Sequence, residues 1–133
     1  MKNQNINLFV IELVLACFGL LPEARADCFN EGCPPFSGNT FLGESALASD
    51  TSGSYNTATG YDALYSNTTG SYNTANGADA LSSNTTGNSN TATGFDALYF
   101  NTTGYFNTAS GEAALYSNTT GIDNTANGCS SPL

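Results

Sequence analysis

Three aspartates at a fixed interval are the residues of this sequence whose type and spacing most suggest chemistry. Asp79 follows Asp62 by 17 residues, and Asp96 follows Asp79 by the same number. If every interval makes one turn of a β-structure, their carboxylates stack about 4.8 Å apart, close to the ~5 to 5.5 Å between the two carboxyls of a retaining glycosidase. Carboxylate oxygens are also ligands that Ca²⁺ accepts. The pattern therefore raises two hypotheses, glycoside hydrolysis and weak Ca²⁺ bridging.

The remaining composition argues against catalysis. The sequence has no His, and its two basic residues, Lys2 and Arg25, both lie near its start. Duplication of a repeat would stack aspartates in the same way without any function, since two such charges in water repel by only about 0.9 kcal/mol. We expect no enzyme activity and no cofactor, and we keep the three aspartates as candidate Ca²⁺ ligands.

Residues 1–26 have the features of a secretory signal peptide. Lys2 precedes the apolar run LFVIELVLACFGLL, and the small-residue sequence ARA ends at Ala26. A run of about 14 residues is short for a membrane span, which needs about 20. A lipoprotein signal acting at Cys17 is the alternative. We expect the signal to be removed and the chain to be secreted, to the extracellular space or the cell surface, without membrane insertion.

The chain that would remain after cleavage is wholly acidic. The sequence has 11 Asp and Glu; Glu12 and Glu23 fall in the signal, which leaves nine carboxylates from Asp27 onward, with no Lys, Arg or His. Contacts with phosphate groups need cations. Nucleic-acid binding is therefore not expected.

The same interval of 17 organises the rest of the chain. Five complete copies fill residues 39–123, and a sixth begins at Asn124. A unit this short is not a helical hairpin repeat or a propeller blade. In each copy the segments NTAxG and ALxxN are separated by Gly, and TTG supplies a second turn. The sequence predicts an all-β fold, a parallel β-solenoid of about six coils over residues 39–128. Positions in a coil are numbered here from 1 to 17, beginning with the Asn of NTAxG.

Residues that recur at the same position are expected to stack into columns along the solenoid. Small and medium apolar groups fit the interior of a slim coil, and Asn and Gly suit turns in which amides hydrogen-bond along the stack. Columns that mix aromatic and charged residues, such as that of Phe95 and Glu112, are expected outside. The predicted core ladder is Ala58, Ala75, Ala92, Ala109, Leu47, Leu64, Leu81, Leu98 and Leu115. The predicted turn ladder is Asn56, Asn73, Asn90, Asn107, Gly60, Gly77, Gly94 and Gly111.

The phrases NTAxGxxAL and SNTTG resemble the short tandem repeats in the heads of trimeric autotransporter adhesins and in related bacterial and phage fibre proteins. The resemblance covers roughly residues 39–128. It implies a left-handed parallel β-roll, commonly three chains side by side, displayed outside a cell and used for attachment.

Cysteines flank the repeats. Cys28 and Cys33 lie in the segment 27–38, which we interpret as a cap or joining segment, and Cys129 begins the tail 129–133. Removal of the signal would take away Cys17 and leave three cysteines, which cannot all pair within one chain, and export favours oxidation. We therefore expect one thiol to bond a neighbouring chain. A bond between Cys28 and Cys33 within one chain is the alternative.

The counts at the two ends suggest assembly. The segment 27–38 contains twelve residues, and the incomplete last copy, 124–128, contains five. Together they have the 17 residues of one coil. The first segment of one chain could thus complete the last coil of another, and such a head-to-tail contact would generate a filament. The alternative is that residues 27–38 cap their own first coil. We expect a homo-oligomer, either an end-to-end stack or a side-by-side trimer.

Two classes of function fit these observations. The first is a secreted structural or adhesive protein of the cell exterior, a rod that assembles into a fibre. The alternative is an ice-binding solenoid, because Thr stands at position 2 of every coil. The column two positions later mixes Leu, Thr, Asn and Ser, so the structural and adhesive class ranks first. The threonine ladder of the alternative is Thr57, Thr74, Thr91 and Thr108.

Overall fold

The computed structural model describes residues 37–129. The predictions for residues 1–36 and 130–133, among them the signal peptide, Cys28 and Cys33, lie outside the described residues. Within 37–129 no helix is long and apolar enough to cross a membrane. The strands of this part are all short: β1 (Thr40–Leu42), β2 (Thr57–Thr59), β3 (Thr74–Asn76), β4 (Thr91–Thr93), β5 (Thr108–Ser110) and β6 (Thr125–Asn127).

These strands form one parallel sheet in sequence order. Each strand pairs with the next in a register of one whole repeat, so Thr57 pairs with Thr74 and Ala58 with Ala75. Parallel strands need a crossover connection, and here the remainder of each coil supplies it. The predicted parallel β-solenoid is confirmed, with five complete coils and the start of a sixth.

The second segment of each coil, ALxxN, is a turn and contains no strand. Leu64 has φ 53° and Asp62 has φ 50°, and the same two positions repeat this left-handed backbone in the other coils. A left-handed residue with a side chain costs about 1 to 2 kcal/mol. Burying a Leu side chain contributes about 1.5 to 3 kcal/mol, which offsets part of the cost of the two left-handed residues in each turn. Coil-to-coil hydrogen bonds continue through it, as from Leu64 N to Ala80 O at 3.0 Å.

The core is a narrow apolar column between strand and turn. The strand contributes Ala at position 3, and the turn contributes Ala and Leu at positions 8 and 9. Ala58, Ala63 and Leu64 are all fully buried. All residues of the predicted core ladder lie in this column: Ala58, Ala75, Ala92, Ala109, Leu64, Leu81 and Leu98 at 0% exposure, Leu115 at 3% and Leu47 at 7%.

Glycine at position 5 allows successive coils to approach. Gly60 has φ 134°, and a Cβ there would lie 2.5 Å from the carbonyl oxygen of Gly77. Both the backbone conformation and the contact therefore require Gly. The same holds at the other predicted turn glycines that have a following coil, Gly77, Gly94 and Gly111.

Asparagines at position 1 form a buried ladder, which we call the first amide ladder. Asn56, Asn73, Asn90 and Asn107 are fully buried, each just before a strand. The backbone N–H and the Nδ2 of Asn73 donate to Oδ1 of Asn56, at 2.9 and 3.2 Å. Nδ2 of Asn73 also donates to Gly87 O at 2.9 Å. The ladder thus hydrogen-bonds along the stack and, in addition, ties the start of each coil to its end.

A second amide ladder runs through position 12. Asn84 Nδ2 donates to Asn67 Oδ1 at 2.8 Å and to Gly87 O at 3.1 Å. Gly87 O therefore accepts from both ladders. Because every member is hydrogen-bonded, polar side chains can be buried here without an unpaired group. The members are Asp50, Asn67, Asn84, Asn101 and Asn118.

Candidate functional site

Columns with exposed side chains form the surfaces that could bind a partner, and three of them are candidates. Positions 2 and 4 of the strands form one, which we call the threonine face. Positions 6, 7 and 10 form a second, called the rim. Positions 16 and 17 form a third, called the aromatic edge. The fixed Asn, Gly, Ala and Leu columns are buried or packed between coils, so they offer little surface to a partner.

The threonine face is the outward side of the parallel sheet. Side chains alternate along a strand, so Ala points inward while positions 2 and 4 point outward. The column at position 4 is irregular, with Asn76 and Thr93 exposed and Thr59 half-buried. The predicted threonine ladder, Thr57, Thr74, Thr91 and Thr108, is exposed in every member.

The rim carries the three aspartates with which the sequence analysis began. Asp62, Asp79 and Asp96 stand one per coil, linked by backbone hydrogen bonds such as Asp79 N to Tyr61 O at 2.8 Å. Each has φ between 50° and 58°, a conformation that Asp tolerates better than most residues. Backbone geometry is thus a sufficient reason for Asp at this position.

Burial and neighbouring negative charges determine the electrostatics of the rim. Burial raises the pKa of Asp79, and the charge of Asp62 raises it further. Burial also raises the pKa of Asp96, with the charges of Asp79 and Glu112 adding to it. The pKa of Tyr61 is raised chiefly by the charge of Asp62. Oδ1 of Asp62 is buried and has no hydrogen-bond partner among the described residues.

The candidate Ca²⁺ ligands of the rim form a single column of carboxylates, and Ca²⁺ binding there stays a prediction. Within residues 37–129, no group of three or more His, Cys, Asp or Glu is placed to hold a metal ion. The stack of Asp62, Asp79 and Asp96 offers one carboxylate per coil, next to exposed aromatic rings. The rim is therefore better described as a mixed acidic and aromatic surface.

Aromatic side chains project from the rim. Tyr61 and Phe95, both at position 6, are each 53% exposed, and Tyr65 at position 10 is 44% exposed. Tyr99 stacks on Tyr116, with ring centroids 5.5 Å apart. Exposed aromatic side chains are candidates for contacts with a partner.

The aromatic edge was not anticipated from the sequence. Tyr55 stacks on Tyr72 with ring centroids 5.2 Å apart, and Tyr105 meets Phe106 edge to face at 5.6 Å. Positions 16 and 17 are Ser and Tyr in the first two coils, and neither is aromatic in coil 3. The sequence therefore shows no regular pattern that would predict this edge. Its members are Ser54, Tyr55, Ser71, Tyr72, Asn88, Ser89, Tyr105, Phe106, Ile122 and Asp123.

The second amide ladder was also not predicted, because its Asn residues stood out only as the last residue of the segment ALxxN. Asn67, Asn84, Asn101 and Asn118 each begin an Asn-Thr-Thr sequence that could accept an N-linked glycan. Their side chains are at most 2% exposed. Glycosylation of these amides is incompatible with the folded chain. The signal that could have revealed the ladder is its constancy, with Asn in four coils and Asp in the first.

Cys129 occupies position 6 of the sixth coil, the column of Tyr61 and Phe95. It is exposed, and its thiol lies 4.0 Å from Oε2 of Glu112. Its predicted disulfide partners, Cys28 and Cys33, lie outside the described residues, so the disulfide stays a prediction.

Comparison of the chain with protein-family models, with curated proteins and with solved structures found no match.

Proposed function

We propose that this chain is a secreted, non-enzymatic structural and adhesive protein of the cell exterior. One observation carries the proposal: the fixed columns hold the stack together, while the variable columns present aromatic rings outward. Tyr61, Tyr65 and Phe95 on the rim are 44–53% exposed. A repeat with a nearly constant interior and a variable exterior displays different surface residues on a rigid support, which suits attachment.

The buried network makes the support rigid. Each interface between adjacent complete coils combines strand pairing, two amide ladders and a row of threonine hydroxyls, of which Thr68 Oγ1 donating to Thr85 O at 3.0 Å is one. Repeat proteins of this kind gain stability from each neighbour interface. A rod that bears load between a cell and a surface needs this property.

The experiment uses cells that express the full chain. Antibody labelling of intact, unpermeabilised cells should detect the protein at the surface. Attachment of these cells to a solid support under flow should exceed that of matched cells without the gene several-fold. Labelling that requires permeabilisation, or equal attachment of the two cell lines, would remove the basis of the proposal.

Ice binding is the second candidate, favoured by the exposure of the threonine ladder on a continuous parallel sheet. The irregular position 4 column, which includes Asn76 and Ser110, interrupts a second row of hydroxyl-methyl groups. Thermal hysteresis of the purified chain separates the two functions. We expect none, and clear hysteresis at micromolar protein that is lost in Thr74→Tyr would assign ice binding instead.

A further inference from the structure

We propose that two copies of this chain pair side by side and antiparallel through the aromatic edge. This inference does not rest on the adhesive function, which uses the rim. Aromatic side chains have surfaces of about 150 to 250 Å², so covering the edge would remove roughly 500 Å² per copy, about 1,000 Å² in total, enough for a small specific interface. The exposed side chains are Tyr72 (62%), Tyr55 (59%), Phe106 (58%), Ile122 (45%) and Tyr105 (42%).

The distribution of charge favours the aromatic edge over the rim as the contact between two copies. The chain has a formal net charge of −9, so two copies repel wherever their carboxylates meet. The rim carries Asp62, Asp79 and Asp96 together with Glu44 and Glu112, whereas the aromatic edge carries only Asp123. The edge is therefore an apolar surface on which like-charged chains can approach.

The sizes of the side chains make the edge complementary to itself. A two-fold axis that crosses the edge at coil 3 places coil 2 opposite coil 4 and coil 1 opposite coil 5, with each position facing the same position of the partner. At position 16, Ser71 then faces Tyr105. In the same column, Ser54 faces Ile122. Each large side chain meets a small one, which allows the two edges to interdigitate.

Position 17 fits the same axis. Tyr72 meets Phe106 as an aromatic pair, an arrangement that contributes beyond the area it buries. The phenol of Tyr55 faces the carboxylate of Asp123, to which it can donate a hydrogen bond. Ser89 lies at the axis and leaves room for these contacts.

A parallel pair fits less well. Its two-fold axis lies along the rod, so position 16 would face position 17 of the same coil. Ile122 would then oppose the carboxylate of Asp123 and could offer it no hydrogen bond. The antiparallel arrangement instead places the phenol of Tyr55 opposite this carboxylate.

Sedimentation equilibrium of the full chain tests the pairing. We expect a dimer whose dissociation constant rises at least about tenfold in the double variant Tyr72→Ser, Phe106→Ser, because central aromatic side chains dominate such interfaces. Ser is tolerated at this position, since Ser89 has φ 56° where Tyr72 has 60°. The matched control Tyr61→Ala, Phe95→Ala removes two aromatics from the rim and should change the constant by less than about threefold. A monomer, a trimer, or equal weakening in the control overturns the proposal.

Cysteine cross-linking tests the orientation. In chains whose Cys28, Cys33 and Cys129 are replaced by Ser, a mixture of the Ser54→Cys and Ile122→Cys variants should form a mixed disulfide under mild oxidation. Either variant alone should give little dimer. Efficient cross-linking of Ser54→Cys with Tyr55→Cys, without the product of Ser54→Cys and Ile122→Cys, would show a parallel pair and contradict the antiparallel one.

Discussion

At the scale of single residues, the fold depends on side chains that take a costly backbone conformation to reach the core. Leu81 is fully buried and has φ 54°. In the same coil, Asp79 has a similar φ of 58° but lies on the rim. The backbone thus accepts both residue types, and burial alone decides which type each position needs.

Replacing Leu81 by Asp should unfold the chain or destabilise it by several kcal/mol, since an unpaired charge would enter an apolar core. Chemical denaturation followed by circular dichroism measures this. Tyr65→Asp, on the exposed rim, is the control and should change the free energy of unfolding by less than about 1 kcal/mol. An unchanged transition in the Leu81 variant would mean that the inward face is wrongly assigned.

At the scale of the coil, two buried amide ladders add coil-to-coil hydrogen bonds to those of a single short strand. Asp50 ends the second ladder in the first coil. Its Oδ1 accepts from Asn67 Nδ2 at 2.8 Å, and its Oδ2 accepts from Asn39 Nδ2 at 3.0 Å. A carboxylate only accepts hydrogen bonds, so Asp suits the first coil, where the ladder needs acceptors.

The ladder predicts a large cost for losing one amide. Asn84→Ala removes the donor to Asn67 Oδ1 and the acceptor of Asn101 Nδ2, which lies 2.9 Å away. Leaving these buried groups unpaired should cost about 2 to 5 kcal/mol of unfolding free energy. Asn76→Ala, on the threonine face, should cost under about 1 kcal/mol. Denaturant titration measures both changes. Equal losses of unfolding free energy in the two variants would mean that the buried ladder stabilises the fold no more than an exposed Asn does.

The fixed interval of the repeat was enough to predict the parallel solenoid, because identical units can bury their apolar positions only by stacking in register. It did not reveal that ALxxN forms a turn, since the left-handed backbone at Leu64 depends on coil-to-coil contacts. The interval also did not show whether the column of Asn67 is buried or lies in an exposed turn. Asn serves both roles equally well, and only the hydrogen bonds distinguish them.

At the scale of the whole molecule, the described part is a rod with an uncompensated negative charge. Burial raises the pKa of Asp50 despite its hydrogen bonds to Asn67, Gly53 and Asn39. The pKa values of Asp79 and Asp96 are raised for the reasons given above. These groups therefore bind protons more tightly in the folded than in the unfolded state.

The sign of the pH dependence follows from these shifts. Stability from carboxyls with raised pKa is fully present below their unfolded pKa, about 3.9, and is lost as the pH rises through the folded values. The melting temperature should therefore be higher near pH 4 than near pH 7. The variant Asp79→Asn, Asp96→Asn should flatten this dependence, since Asn also tolerates the left-handed backbone. A melting temperature that falls steadily on acidification in both proteins would contradict the assigned shifts.

The central claim is that the fixed columns hold the rod and the exposed aromatics of the rim attach it. The most direct test transplants the rim residues of coil 3, Ala78 and Ser82, into the neighbouring coils as the triple variant Tyr61→Ala, Tyr65→Ser, Phe95→Ala. Its melting temperature and its attachment to a solid support under flow, as a coating on beads, are measured beside those of the unaltered chain. We expect nearly the same melting temperature and a several-fold loss of attachment. Full attachment by a folded variant would contradict the claim.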